Sequence, residues 1–138
     1  MADFVSDVTE AERQQTIADL KAARAELVAR GRCTGSPLGW QGAGVCTVGA
    51  AIAAVAPQVL NEATPTFEVF KHSRALAVVL ALHRFLPDAQ RRPVLNNADI
   101  YEINCVYDVS TFNDDRGTST DDVLNLFDKA LADIGGLA

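Results

Sequence analysis

The chain has 138 residues, of which 49% are hydrophobic, and a formal net charge of −6. This length fits one domain with a substantial buried core. The negative charge argues against a general nucleic-acid-binding surface, because such surfaces use Lys and Arg to neutralise phosphates. The amino end lacks the basic and apolar regions of a signal peptide, and no apolar run is long enough to cross a bilayer. We therefore expect a soluble, cytoplasmic protein that does not enter a membrane.

The three cysteines, Cys33, Cys46 and Cys105, form an odd set without Cys-x-x-Cys spacing, which favours reduced thiols. A Cys33–Cys46 bridge is the one disulfide alternative. His72 and His83 stand about 16 Å apart on one predicted helix, at about 1.5 Å per residue, so they cannot ligate one metal ion together. The sequence predicts neither a metal site nor a cofactor.

The first predicted helix begins at Thr9, where Thr-x-x-Glu spacing to Glu12 forms a capping box. Gly31 supplies its end. We expect a flexible segment at 1–8 and one helical domain over 9–136. Three basic residues near the end of this helix are interpreted as side chains exposed to water rather than as a binding patch: Arg24, Arg30 and Arg32.

The segment from Arg32 to Gly44 has four glycines and no periodic apolar face, so it is predicted to be an irregular loop. Its exception is Trp40. A lone Trp in such a loop either folds back as a lid on the core or marks a surface for a ligand or partner.

A short second helix follows, which Pro57 limits in length. Apolar residues recur there at helical spacing: Val45, Val48, Ile52 and Val55. Small side chains line a neighbouring face and predict close packing against another helix: Cys46, Gly49, Ala50 and Ala53. A thiol in the first turn of a helix can have a lowered pKa, which makes Cys46 a candidate nucleophile.

Thr64-Pro65 has the form of a helix N-cap followed by Pro at the first helical position. The third helix is predicted over about residues 65–86. Because residues 75–82 are apolar on all sides, we expect this helix to lie at the centre of the fold.

A fourth element after residue 97 is ambiguous, with Asn96 or Asn97 as its cap. Alternating residues from Tyr101 to Val109 fit a half-buried strand, whereas Ile103 and Tyr107 fit one face of a helix. We favour helix, because no other segment offers a strand partner and an unpaired strand is unstable.

The last helix is predicted to begin at a cap formed by Thr118 or Ser119 and to end at Gly135-Gly136. The turn before it is acidic, but its spacing does not fit a calcium-binding EF-hand loop. Asn113 and Asp114 are instead expected to bond freed backbone groups and to lock the last two elements together. The fold class is therefore all-α: a compact single-domain bundle of about five helices around a central apolar helix.

Three short motifs support a family resemblance: Gly31-Arg32-Cys33, Cys46-Thr47-Val48-Gly49-Ala50, and Phe112-Asn113-Asp114 before a Thr-rich cap. This arrangement resembles a family of small domains of actinobacteria and their phages that has no assigned function. Phe112 stands where that family more often has Trp. The resemblance implies a phage or prophage accessory protein, and it would bring Cys33, Cys46, Asn113 and Asp114 into one site.

No recognisable catalytic constellation is present, so we favour a non-enzymatic protein that binds a host or phage protein. Trp40 and its loop would form the surface, with Asp114-Asp115 as a rim. The alternative is a small-molecule-binding protein or a cysteine-dependent enzyme that uses Cys46 with Asn113 and Asp114. A third hypothesis is an acidic decoy for a nucleic-acid-binding protein. Oligomeric state is left open.

Overall fold

A computed structural model describes residues 9–91 and 98–135 of the chain, and their regular structure is helical. Five α-helices follow one another: α1 (Glu10–Arg30), α2 (Thr47–Val55), α3 (Ser73–His83), α4 (Ala98–Asp114) and α5 (Thr120–Ile134). Four 3-10 helices lie between them: Trp40–Gly42, Pro57–Val59, Thr66–Lys71 (helix 66–71) and Asp88–Gln90. The all-α fold class is confirmed, and the ambiguous fourth element is a helix.

The ends of α1 and α5 follow the predicted local chemistry. Thr9 and Glu12 form the capping box, with the Glu12 amide donating to Thr9 Oγ1 over 3.0 Å. Ser119, rather than Thr118, caps α5 and exchanges hydrogen bonds with Asp122. Gly135 ends α5 in the left-handed conformation that a side chain would disfavour. Both helices are therefore delimited by groups within four residues of their ends.

The hydrophobic core is shared by all five α-helices. As predicted, α3 is central, because it contacts each of the other four α-helices. The most completely buried helix, however, is α2, in which every residue from Thr47 to Ala53 is buried. Its small side chains leave room for neighbours on all sides, and the largest contact surface of α2 lies against α1.

The predicted continuous helix over 65–86 is instead divided at His72, whose backbone is extended (φ −130°, ψ 95°). The His72 amide closes helix 66–71 on the Val69 carbonyl, and the His72 carbonyl accepts the first hydrogen bond of α3 from Leu76. The predicted Thr64 cap is also wrong. The Thr64 hydroxyl instead bonds to residues that precede it in the chain. It donates to the Val59 carbonyl over 2.7 Å and accepts from the Asn61 amide over 2.9 Å.

The loop between α1 and α2 is held by backbone hydrogen bonds around Val45. The Val45 amide donates to the Gly31 carbonyl over 2.9 Å, and its carbonyl accepts from the Cys33 amide over 3.0 Å. Val45 was predicted on the α2 face, but these bonds take it out of the helix and Cys46 becomes the N-cap. Gly49 makes its close approach to the backbone of Pro37 in this loop, rather than to a helix.

Three predictions fall outside the described residues: the flexible segment 1–8, the cap at Asn96 or Asn97, and the second glycine of the Gly135-Gly136 stop. Within the described ranges, none of the helices combines the length and apolar character that a membrane span requires.

We expect Gly49→Ala to lower the free energy of unfolding by about 3 kcal/mol, because an added Cβ would lie 1.9 Å from the Pro37 carbonyl oxygen and force overpacking. Urea unfolding monitored by circular dichroism measures the change. Gly117→Ala is the matched control, since its Cβ would approach only the Asp115 side chain, at 3.2 Å. Equal losses for the two variants would contradict the close approach at Pro37.

Candidate functional site

Asn113, in the last turn of α4, is completely buried and uses all four hydrogen-bonding positions of its carboxamide. Its Oδ1 accepts from the Thr47 amide over 3.0 Å and from the Thr47 hydroxyl over 2.8 Å. Its Nδ2 donates to the Cys33 carbonyl over 3.0 Å and to the Asp114 carboxylate over 2.8 Å. We call this arrangement the Asn113 junction.

The Asn113 junction joins α4 to the α1–α2 loop and to the start of α2. The prediction that Asn113 and Asp114 lock the last two elements to each other is therefore wrong. The first N–H groups of a helix lack partners within the helix, so the amide of Thr47, the first residue of α2, is available to the carboxamide.

The contact that does close the α4–α5 turn comes from Arg32, which was interpreted from the sequence as a side chain exposed to water. Its guanidinium donates to the Asn113 carbonyl and, over 2.8 Å, to the Thr118 carbonyl. Carbonyls at the end of a helix carry partial negative charge, which a cation stabilises. No local pattern around Arg32 signals this role, because its partners are more than 80 residues away in the chain.

Four of the five predicted site residues lie together at the junction. Asp114 accepts from the Gly35 amide over 3.2 Å, and the Cys33 thiol donates to the Ser36 carbonyl over 3.3 Å. Cys46, the fourth, is the N-cap of α2 beside Thr47. All three cysteines of the chain are free thiols. Across the described residues, no three His, Cys, Asp or Glu side chains are placed to hold a metal ion.

The Cys46 thiol is buried, and its Sγ accepts a hydrogen bond from the Gly49 amide over 3.2 Å. Burial raises the pKa of Cys46 to about 12, and the nearby Cys33 and Asp114 act in the same direction. The sequence-based prediction that the helix start lowers the pKa of Cys46 is therefore wrong. The cost of desolvating the thiolate is larger than the stabilisation that hydrogen bonds from the helix N–H groups provide. A thiol that stays protonated is a poor nucleophile.

An apolar groove lies between helix 66–71 and α4, next to the junction. Its cavity has a volume of about 500 Å³ and is lined by Phe67 and Phe70 on one wall and by Val106 and Tyr107 on the other. An adjoining hollow extends it past Ile103 to Glu102. We call the two together the aromatic groove. Three large side chains on its walls are strongly exposed: Phe67 (61%), Tyr107 (60%) and Ile103 (45%).

The aromatic groove has carboxylates at both ends, with Glu102 at one and Asp114 and Asp115 at the other. Asp115 Oδ1 accepts from the Gly117 amide over 2.7 Å, and Asp114 is held through Gly35 and Asn113. Neither Lys nor Arg belongs to the lining that the structure describes. The groove therefore combines an apolar floor with acidic ends.

Sequence reasoning missed the aromatic groove, although a signal was present. Phe67 and Phe70 are three residues apart, and side chains at that spacing eclipse each other on a 3-10 helix. Ile103 and Tyr107 were recognised as one helix face, but a spacing pattern does not tell whether that face is buried. Because 65–86 was predicted as one continuous helix, the separate 3-10 helix that carries the two phenylalanines was not predicted.

Trp40, the fifth predicted site residue, begins the 3-10 helix Trp40–Gly42 and is 78% exposed. The interpretation of Trp40 as a lid on the core is therefore wrong. Its loop is the one that contacts Asp114 through Gly35, so Trp40 is connected to the acidic end of the groove by the backbone of one loop.

Comparison with known protein families assigns the chain to a family. Residues 11–133 match DUF6197, a family of unknown function. The chain belongs to the DUF6197 family. No curated protein and no solved structure matches the chain. Membership in DUF6197 covers the Asn113 junction and both walls of the aromatic groove, but it assigns no activity to either.

In this DUF6197 member we expect Asn113→Ala to lower the free energy of unfolding by about 3 kcal/mol. The truncation would leave the buried Thr47 amide and hydroxyl, and the half-buried Cys33 carbonyl, without these partners. Urea unfolding measures the loss. Asn125→Ala, at an exposed position of α5, is the matched control and should change stability by less than about 0.5 kcal/mol. A loss at Asn113 no larger than at Asn125 would refute the junction.

The raised pKa of Cys46 predicts a loss of stability in alkali. The unfolded thiol ionises near its ordinary pKa of 9.0, whereas the native thiol keeps its proton to about 12. Between these values unfolding releases a proton, so stability is full below pH 9 and falls as pH rises, by at most about 1.4 kcal/mol per pH unit. Cys46→Ser keeps a capping oxygen without an ionisable thiol. Its stability should fall less steeply above pH 9 in urea titrations, and identical slopes would contradict the prediction.

Proposed function

We propose that this chain acts by binding another protein through the aromatic groove. The observation that carries the proposal is the cluster of exposed Phe67, Ile103 and Tyr107 along the walls of this groove. Scattered exposed apolar residues are normal, but a contiguous patch with polar ends is characteristic of an interaction site. Aromatic residues in such patches contribute much of the binding free energy.

The binding surface we propose differs in position from the one expected from the sequence. We keep Asp114 and Asp115 as the proposed rim, and this proposal is supported by their position in the lining of the aromatic groove. We propose Trp40 as a secondary contact, supported by its exposure and by the link of its loop to Asp114.

We also propose a phage or prophage setting, in which the partner is a host or phage protein. This part of the proposal rests on the resemblance carried by the Gly-x-Cys, Cys-x-x-Gly-Ala and Phe-Asn-Asp motifs. The aromatic groove is compatible with either partner. Its lining favours a protein with apolar and basic groups, and such groups occur in host and phage proteins alike.

The alternatives have less support. An enzyme that uses Cys46 with Asn113 and Asp114 would need a reactive thiolate, whereas burial keeps this thiol protonated. An acidic decoy would need carboxylates clustered in a double row on one face, whereas Glu102, Asp114 and Asp115 lie at the ends of a groove whose other described lining residues are uncharged. The cavity volume of about 500 Å³ also suits a small molecule, and the cross-linking experiment below distinguishes such a ligand from a protein partner.

Site-specific photo-cross-linking tests protein binding. A photoreactive phenylalanine derivative is placed at Ile103 in the full chain, which is expressed in its natural host. We expect a covalent protein adduct at position 103, because its side chain is 45% exposed on the groove wall. Adding Phe67→Ser should reduce the yield at least ten-fold, since the opposite wall loses its aromatic anchor.

Val28 provides the matched control, because it is an equally apolar residue, 59% exposed on α1 and outside the groove. The same photoreactive residue there should give no adduct of that mass. Protein adducts of equal yield at positions 28 and 103, or none at 103, would refute protein binding by the groove. A cross-linked small molecule at 103, identified by mass spectrometry, would replace the protein partner with a ligand.

A further inference from the structure

We propose that the aromatic groove holds an amphipathic helical segment of its partner, with an apolar stripe flanked at both ends by Lys or Arg. This inference rests on the proposed function, protein binding by the groove, and specifies the chemistry of the occupant. It follows from the length of the groove, from the type of secondary structure around it, and from the positions of its charges.

The α4 wall of the groove sets the length of the occupant. Ile103, Tyr107, Ser110 and Asp114 follow each other at intervals of four, three and four residues, so they form one stripe along α4. From Glu102 to Asp114 the helix rises about 18 Å, at about 1.5 Å per residue. An occupant that runs alongside this stripe therefore spans about three helical turns.

The walls favour a helical occupant over an extended one. An extended peptide gains its affinity by pairing its backbone with the edge of a sheet. The described part of the chain has no strand, and its isolated β-bridges involve only Arg32, Leu38 and Val45, away from the groove lining. A helix satisfies its own backbone and needs only side-chain contacts, which a groove between two helices supplies.

The charges at the ends of the groove specify basic flanks. Glu102 lies at one end and Asp114 and Asp115 at the other, with Phe67, Phe70 and Tyr107 between them. Helix 66–71 contains one Lys or Arg, Lys71, and its ammonium group pairs with the Glu68 carboxylate over 3.5 Å. Hydrogen bonds from backbone amides hold Asp114 and Asp115 in place, so ordering these carboxylates adds little cost to binding. Opposite charges at both ends would fix the register of the bound helix.

The same charges disfavour a second copy of this chain as the occupant. A symmetric dimer places the same patch of both subunits face to face. Two aromatic grooves facing each other would bring the carboxylates Glu102, Asp114 and Asp115 of one copy towards those of the other. Like charges in contact are repulsive, so this face suits a basic partner better than itself.

A peptide selection tests the inference. A display library of random 16-residue peptides is selected on the full chain, with the double variant Phe67→Ser/Tyr107→Ser as the counter-selection target. We expect enriched sequences with apolar residues at i, i+3 or i+4, and i+7, and with Lys or Arg on both sides of them. The strongest peptide, synthesised with Glu in place of its Lys and Arg, should bind at least ten-fold more weakly in calorimetry.

Charge variants of the chain test the acidic ends directly. The double variant Glu102→Gln/Asp115→Asn should bind the basic peptide about five-fold more weakly and with a reduced dependence on salt. Asparagine keeps the oxygen that accepts from the Gly117 amide, so the turn is retained. Glu26→Gln removes one carboxylate from an ion pair on α1, outside the groove, and should leave the affinity unchanged.

The outcomes separate the inference from the proposed function. Enriched peptides that need Phe67 and Tyr107 but lack basic flanks would overturn the inference and leave protein binding intact. An absence of enrichment specific to the wild-type chain would also overturn it, because a linear helical segment would then not be the occupant. Protein binding by the groove would be refuted only by the cross-linking experiment, through either of the two negative results stated for position 103.

Discussion

Asn113 places a fully bonded carboxamide where three segments of the chain meet: the end of α4, the α1–α2 loop and the start of α2. Each segment on its own leaves polar backbone groups unpaired, and these groups are costly to bury without a partner. The amide and hydroxyl of Thr47 and the carbonyl of Cys33 are satisfied by this one side chain. The buried position of α2 therefore depends on α4 ending where it does.

The same turn of α4 serves two purposes on its two sides. Asn113 faces the interior and holds α2, whereas Asp114, its neighbour, lines the acidic end of the aromatic groove. The hydrogen bond from Asn113 Nδ2 to Asp114 and the bond from the Gly35 amide fix that carboxylate. The acidic end of the groove is thus positioned by the contacts that stabilise the fold, and a variant at Asn113 would disturb both.

Cys46 illustrates how burial decides the chemistry of a group whose sequence context suggests the opposite. A thiol at a helix start can be activated by nearby N–H groups, and the Cys46 thiol does accept a hydrogen bond from Gly49. Its surroundings exclude water, however, and the cost of desolvating a thiolate is larger than that stabilisation. Cys46 is therefore a cap and a core residue in the folded chain.

The sequence by itself determined the all-α class, the cap at Thr9, the stops at Gly31 and Gly135 and the central position of α3, and it limited the cap of α5 to Thr118 or Ser119. These features depend on hydrogen bonds between neighbouring residues and on the spacing of apolar side chains, and both can be recognised from the order of residues in the chain. Only the tertiary structure decided that Asn113 bonds Thr47, 66 residues away, and that Arg32 closes the α4–α5 turn. It also decided that Phe67 and Tyr107 face outwards, because helical spacing identifies a shared face but the packing of neighbouring helices determines whether water reaches it.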